Sequence, residues 1–239
     1  MHYSNLQDIL VLGSSRGLGK SLYKLFQSDS FKVIGVSRSK SNQSDFICDL
    51  SNKHEVKNLV DTFYNSGNIA KNIIFNAGQG SSNKKSIEER KEELMHQNLH
   101  TSRNFVEELK RIPKILEIVE SFTFINSICA LKNFKCSDEY EQSKFELLKY
   151  SRDLAEDFVR YRIRVNSILP GNIMHEDSVW RKKFKNEMEE KIFLKKTMPS
   201  GNWIYPEHVF SSIKYLIQNE NVINTEIILD GGQSLFSPD

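Results

Sequence analysis

The sequence predicts an α/β protein: one doubly wound, Rossmann-like parallel sheet of about seven strands, with helices on both faces. Three observations predict it. Short apolar runs alternate with longer stretches of helical period along the whole chain. The runs are apolar at successive positions rather than at every second one. No repeat, low-complexity tract or linker divides them. Strands apolar on both faces must be covered on both sides, and parallel neighbours need a crossover that a helix supplies. The 239 residues suffice for one buried core and are few for two, so 1–239 is read as a single domain.

The elements follow in order. Ile9-Leu10-Val11-Leu12 is a first strand, followed by a glycine-rich turn and a helix through Leu25-Phe26. Lys32 to Val36 is a second strand and Phe46-Ile47 a short third. The helix after it carries Val56, Leu59, Val60 and Phe63 at helical spacing. Asn72 to Phe75 is a fourth strand, and one long helical region runs from about Ile87 to Leu109. Then come a strand at Phe122–Ile125, a helix from Glu139 to about Val159 and a strand at Val165–Leu169. A helix near His208–Ile217 and a strand at Glu226–Leu229 close the series. The alternation breaks over about 174–203, which is rich in Lys and Glu with Trp180, Phe184, Met188, Ile192 and Phe193 interspersed. It is read as a helical insertion that could act as a substrate lid, or, from its charges alone, as a solvated surface helix pair.

Composition narrows the function classes. A hydrophobic fraction of 38%, a charged fraction of 27% and a net charge of +2 give no basic stripe, so no nucleic-acid partner is expected. No apolar run approaches the roughly 20 residues of a membrane span. Cys48, Cys129 and Cys136 form no C-x-x-C pair and no disulfide framework, which suggests a reducing compartment. The start, Met1-His2-Tyr3-Ser4-Asn5, lacks the basic and apolar regions of a signal peptide, so a cytoplasmic location is expected.

Gly13-Ser14-Ser15-Arg16-Gly17-Leu18-Gly19 follows the first strand directly and opens a helix. Glycines there allow a tight turn and close approach of the backbone to a pyrophosphate, whose charge the helix N-terminus stabilises. Further on, Tyr140-Glu141-Gln142-Ser143-Lys144 places a phenol and an ammonium one turn apart on a helix face. A tyrosine with pKa near 10 is a poor acid at neutral pH, and a neighbouring cation is expected to lower that value. Ser127 ends a strand upstream of the pair, and Asn98 lies on the long helix.

The G-x-x-x-G-x-G spacing, Ser127, Tyr140-x-x-x-Lys144 and Asn98, in that framework, resemble the short-chain dehydrogenase/reductase family. The likeness is to its compact single-domain branch and to carbonyl reductases of the 3-oxoacyl-thioester reductase kind. Asn76-Ala77-Gly78 is similar to the family's N-N-A-G, Asp49-Leu50 to its adenine contact and Pro170-Gly171-Asn172-Ile173 to its P-G loop. The likeness extends to Asp230-Gly231-Gly232. The departures are Leu12 for a threonine, Phe75 for an asparagine, His175 for a threonine and Thr225 for a glycine.

The resemblance implies catalytic roles for Asn98, Ser127, Tyr140 and Lys144. It implies a nucleotide site formed by Gly13, Ser15, Arg16, Gly17, Leu18, Gly19, Arg38, Asp49, Leu50, Asn76, Ala77, Gly78, Pro170, Gly171 and Ile173, with Tyr140 and Lys144 at its reactive end. The second strand ends Val36-Ser37-Arg38, without the acid that binds a ribose 2′-hydroxyl in NAD enzymes, and Arg16 and Arg38 suit a 2′-phosphate. NADP(H) is therefore expected over NAD(H). The expected reaction is reduction of a ketone or aldehyde to an alcohol, or its reverse, with Tyr140 as general acid. The expected partners are a small carbonyl or alcohol substrate and further copies of the chain, as a homodimer or homotetramer. Two rival readings remain: an NADPH-binding sensor without turnover, and a nucleotide-sugar-modifying member of the family. His96 and His100, at i and i+4, lack an evident third metal ligand, so no metal is expected.

Overall fold

The computed structural model describes residues 6–80, 86–131 and 136–236. The start at 1–5, used above for location, lies outside them. Seven strands form one sheet: β1 (Gln7–Leu12), β2 (Val33–Ser37), β3 (Phe46–Ile47), β4 (Ala70–Phe75), β5 (Ser121–Ile125), β6 (Arg164–Pro170) and β7 (Glu226–Leu229). Their order is β3-β2-β1-β4-β5-β6-β7, and every pairing is parallel. The chain winds outward from β1 in one direction, then returns to its other side at β4. This places a switch point between β1 and β4, where crevices form at the carboxyl ends of the strands.

The helices are α1 (Gly17–Ser28), α2 (Lys53–Ser66), α3 (Ile87–Met95), α4 (Thr101–Lys110), α5 (Pro113–Leu116), α6 (Asp138–Phe158), α7 (Glu187–Thr197) and α8 (Pro206–Gln218). The unalternating apolarity of the strands is explained by their two covers. In β1, Leu10 and Leu12 pack into a core with Val60 and Phe63 of α2, Phe105 of α4 and Leu154 of α6. Ile9 and Val11 point the other way, onto Leu22 and Phe26 of α1 and Val209 and Ile213 of α8.

Two family departures belong to the first core. Leu12 is buried in it, and Phe75 stacks on Phe124 at 4.4 Å with its edge contacts on Phe122 and Phe105. Caps fix the helix starts. Asn52 accepts the His54 and Glu55 N–H groups ahead of α2, and Ser137 accepts the Tyr140 N–H ahead of α6. Buried Arg164 of β6 donates to the Leu216 and Ile217 carbonyls, satisfying the last turn of α8.

The long helix expected over 87–109 is three pieces. A π-helical turn at His96–His100 separates α3 from α4, and the short α5 follows. The region 174–203 holds a 3₁₀ turn (Val179–Lys182) and α7, gathered by a cluster of Trp180, Phe184, Phe193 and Trp203. Among the described residues, no helix is long and apolar enough to cross a membrane.

Candidate active site

The glycine turn leaves β1 and enters α1. Gly13 has φ +90°, and a Cβ there would lie 2.8 Å from the Ala77 backbone, so the turn and the loop after β4 approach as only glycine permits. A Cβ on Gly19 would overlap the Gly13 carbonyl oxygen. Asn76 secures the approach by donating to that same oxygen at 2.9 Å. Arg16, the N-cap residue of α1, gives it no side-chain cap. Instead the Gly17 N–H donates to the Asp177 carboxylate at 3.1 Å, and Lys20 pairs with Glu176 at 2.9 Å. A carboxylate thus occupies the positive end of the helix, where a phosphate is also stabilised.

Above this turn lies a cavity of about 640 Å³. Gly13, Ser15, Arg16, Gly17, Leu18, Arg38, Asp49, Leu50, Asn76, Ala77 and Gly78 line it, all named from sequence. His175, noted from sequence only as a departure from the family pattern, lines it too, as do Gln79, Gln97, Thr101 and Asp177, which were not named as site residues. Pro170, Gly171 and Ile173 lie outside the lining: Gly171 donates to the Leu229 carbonyl and Ile173 bridges to Ile204. Gly19, Tyr140 and Lys144 are likewise not part of it.

Burial opposes ionisation of Asp49, but hydrogen bonds from the Ser51 hydroxyl and N–H, with the nearby Arg38, hold it below its ordinary value. The acid nearest β2, Asp45, accepts from the Gly35 N–H at 2.7 Å and from Tyr23, so it is engaged behind the strand. His175 lies against Gly17. Its Nδ1 is buried without a partner among the described residues, and burial lowers its pKa.

The residues expected to carry the chemistry converge beside Gly78. A Cβ built on Gly78 would lie 2.8 Å from Asn98 Oδ1 and 3.6 Å from Lys144 Nζ, so both side chains border one point. Asn98, fully buried on the π-helical turn, accepts the Gln79 N–H (2.8 Å). It donates to the Gln79 carbonyl (3.2 Å) and to Ser143 Oγ (2.9 Å). Its side chain therefore ties the loop after β4 to α6. Ser127 ends the segment after β5, accepts the Cys129 N–H at 3.2 Å, and lies near enough to the Tyr140 phenol to affect its ionisation. Lys144 Nζ lies 5.8 Å from the centre of the Tyr140 ring.

The charge states differ from expectation in one respect. Burial pushes the Tyr140 phenol up, with Cys129 adding to the shift and the Ser127 side chain opposing it. The lysine does not bring the phenol down in this arrangement. Burial instead brings Lys144 itself down, to about 8, with Cys129 opposing.

Sequence reasoning missed three residues that position this set. Ser143 and Gln79 hold Asn98, while Asn126 donates to the Lys144 carbonyl at 3.1 Å. Their partners are distant in sequence, and no spacing rule reports them. The His96 and His100 rings lie 5.0 Å apart, tilted by 30°, and no cluster of three or more metal-ligating side chains occurs among the described residues.

The model of the family described as Enoyl-(Acyl carrier protein) reductase matches residues 21–234. The chain belongs to the short-chain dehydrogenase/reductase family, a family of nicotinamide-dependent oxidoreductases. It is similar to human 3-oxoacyl-[acyl-carrier-protein] reductase, with 26% identity over 95% of this chain and 97% of that one. It is also similar to carbonyl reductase family member 4 of Xenopus laevis, with 27% identity over 94% and 97%. Among solved structures, an NADPH-bound short-chain oxidoreductase of Pseudomonas aeruginosa PAO1, described as having an atypical catalytic centre, superposes with TM-score 0.83. It is 18% identical and covers 98% of both chains. 4-Hydroxyisoleucine dehydrogenase complexed with NADH superposes with TM-score 0.82, at 24% identity over 97% and 100%. These structural likenesses speak for the short-chain dehydrogenase/reductase fold.

Proposed function

We propose that this short-chain dehydrogenase/reductase is an NADPH-dependent carbonyl reductase, converting a ketone or aldehyde to an alcohol with Tyr140 as general acid. The observation that carries the reading is the convergence of Ser127, Tyr140 and Lys144 beside the glycine-lined cavity. The names of the reductases it resembles in sequence agree with it.

The cavity fits an anionic dinucleotide. Its volume suits a cofactor-sized ligand, and the α1 N-terminus already takes the carboxylate of Asp177. Gly13, Ser15, Arg16, Gly17 and Leu18 would hold the pyrophosphate side. Asp49 and Leu50 would flank the adenine, with Asn76, Ala77 and Gly78 along the floor. Arg38, exposed at the end of β2, suits a 2′-phosphate. When bound, the reduced nicotinamide supplies hydride to the carbonyl carbon.

The chain's own residues supply the proton. A phenol pushed up by burial stays protonated near neutral pH, so the proton to be donated is present but held more tightly than on a free tyrosine. Ser127 Oγ, near that phenol, orients the substrate oxygen. Lys144, largely protonated below about pH 8 and 5.8 Å from the Tyr140 ring, is the nearby charge that would stabilise the phenolate once substrate and cofactor are in place. Asn98 positions these groups by joining the loop after β4 to α6.

The test is consumption of NADPH or NADH with a panel of ketones and aldehydes, with the alcohol product identified by mass spectrometry. Turnover with NADPH over NADH is expected, and Arg38→Ala should erode that preference by about tenfold, the loss of a charge-assisted contact. Equal use of both cofactors by the wild type would overturn the preference. Cofactor binding without turnover of any carbonyl would overturn the reductase.

A further inference from the structure

Between Ser127 and Tyr140 lie two cysteines that the proposed chemistry leaves unused. Cys129 is buried in the 3₁₀ turn Ile128–Ala130, and its N–H donates to Ser127 Oγ at 3.2 Å. Cys136 is half-buried and directly precedes Ser137, the N-cap of α6. Their sulfurs are 2.7 Å apart, closer than two unbonded thiols rest. An open cavity of about 320 Å³, lined by Cys129, Leu131, Glu141 and Phe145 among others, gives solvent a path to the pair.

The two thiols are also unlike. Cys129 is drawn down chiefly by its hydrogen bond with Cys136, in which either sulfur can be the donor. Burial opposes this, while the Ser127 hydroxyl and the Lys144 charge assist. Cys136 is pushed up by the same contact and by burial. Cys129, which lines the open cavity, is taken as nucleophile and Cys136 as its resolving partner. The third cysteine, Cys48, sits in the α2-side core, where burial pushes it up to about 12.

We propose that Cys129 and Cys136 are a reversible disulfide site, oxidised by hydrogen peroxide, that ties the Ser127 turn to the start of the Tyr140 helix. The Cys129 thiolate attacks one peroxide oxygen, the O–O bond breaks, and with one proton a water leaves as the sulfenic acid forms. The Cys136 sulfur then attacks that sulfenic sulfur. The S–S bond forms, the S–O bond breaks, and the Cys136 proton leaves with the hydroxyl as a second water. Two electrons pass from the two sulfurs to the peroxide, and a dithiol reductant reverses the change. The site does not depend on which substrate or cofactor the protein uses.

The test is mild peroxide treatment of the full-length protein, followed by intact mass, alkylation of remaining thiols after denaturation, and tryptic mapping. The wild type should lose two hydrogens and keep one alkylatable cysteine of its three, Cys48. Its map should link the peptide ending at Lys132 to the peptide beginning at Cys136, and dithiothreitol should restore all three thiols. Cys136→Ser should show no such loss and should accumulate a Cys129 sulfenic acid trapped by dimedone. Wild type that keeps three thiols overturns the proposal. So does oxygen added to Cys129 without a link, a disulfide through Cys48, or linkage only between two chains.

Discussion

Burial takes the Lys144 ammonium from 10.5 to about 8, and the cost of that shift depends on pH. Below about pH 8 the lysine is protonated in both the folded and unfolded chains, and the cost of burying its charge is fully present. Between about 8 and 10.5 the unfolded chain holds a proton that the folded chain has lost. Stability therefore rises with pH there, by about 1.4 kcal/mol per unit at most from this residue. Tyr140 acts oppositely above its ordinary value of 10, because its raised folded value keeps the phenol protonated while the unfolded one ionises. The window for Lys144 is thus about pH 8 to 10. In urea unfolding across it, the wild type should gain stability relative to Lys144→Met; parallel curves would contradict the buried charge. At this scale the sequence was legible where placement follows local spacing, as with Tyr140 and Lys144 one turn apart on α6. It was not legible for Ser143, Gln79 or Asn126, whose hydrogen bonds join segments brought together only by the fold. The sign of the Tyr140 shift was missed for a related reason: desolvation depends on what covers the phenol, and spacing does not report it.

Among the elements, α1 and the Glu176–Asp177 segment are coupled most directly to the cavity. The helix has no side-chain cap from Arg16, and Asp177 accepts the Gly17 N–H in its place. A pyrophosphate bound at the same N–H must displace that carboxylate, which is exposed and therefore held weakly. Asp177→Asn should tighten NADPH about two- to fivefold by calorimetric titration; unchanged or weaker binding would show that the contact does not compete. The seven strands, down to the two-residue β3, and the long helices were legible in order from periodicity, while the short α5 was not. The π-helical turn at His96–His100 was not, because its inserted residue leaves the apolar pattern of 87–109 nearly intact. That turn carries Asn98, so the unreadable piece of the helix is the one the site uses.

Over the whole molecule, one sheet with two covers accounts for both the core and the site. Its switch point sets the β1 turn beside the β4 loop, and the departures at Leu12 and Phe75 belong to the core beneath them. Phe75, stacked on Phe124 and edge-on to Phe105 and Phe122, should cost about 3–5 kcal/mol of stability when cut to alanine. Chemical denaturation would measure this, and a change under 1 kcal/mol would contradict the packing described. The fold class was legible because apolar runs without alternation admit few arrangements; the aromatic cluster of Trp180, Phe184, Phe193 and Trp203 was not, since its members come from separate turns of an irregular segment. The central claim is that Tyr140 donates the proton in an NADPH-dependent reduction. It is tested most directly by measuring kcat and the NADPH Kd together for wild type and Tyr140→Phe. The account predicts kcat lower by about 10²–10⁴-fold with Kd nearly unchanged; a phenylalanine variant that reduces the same carbonyl at the wild-type rate would contradict it.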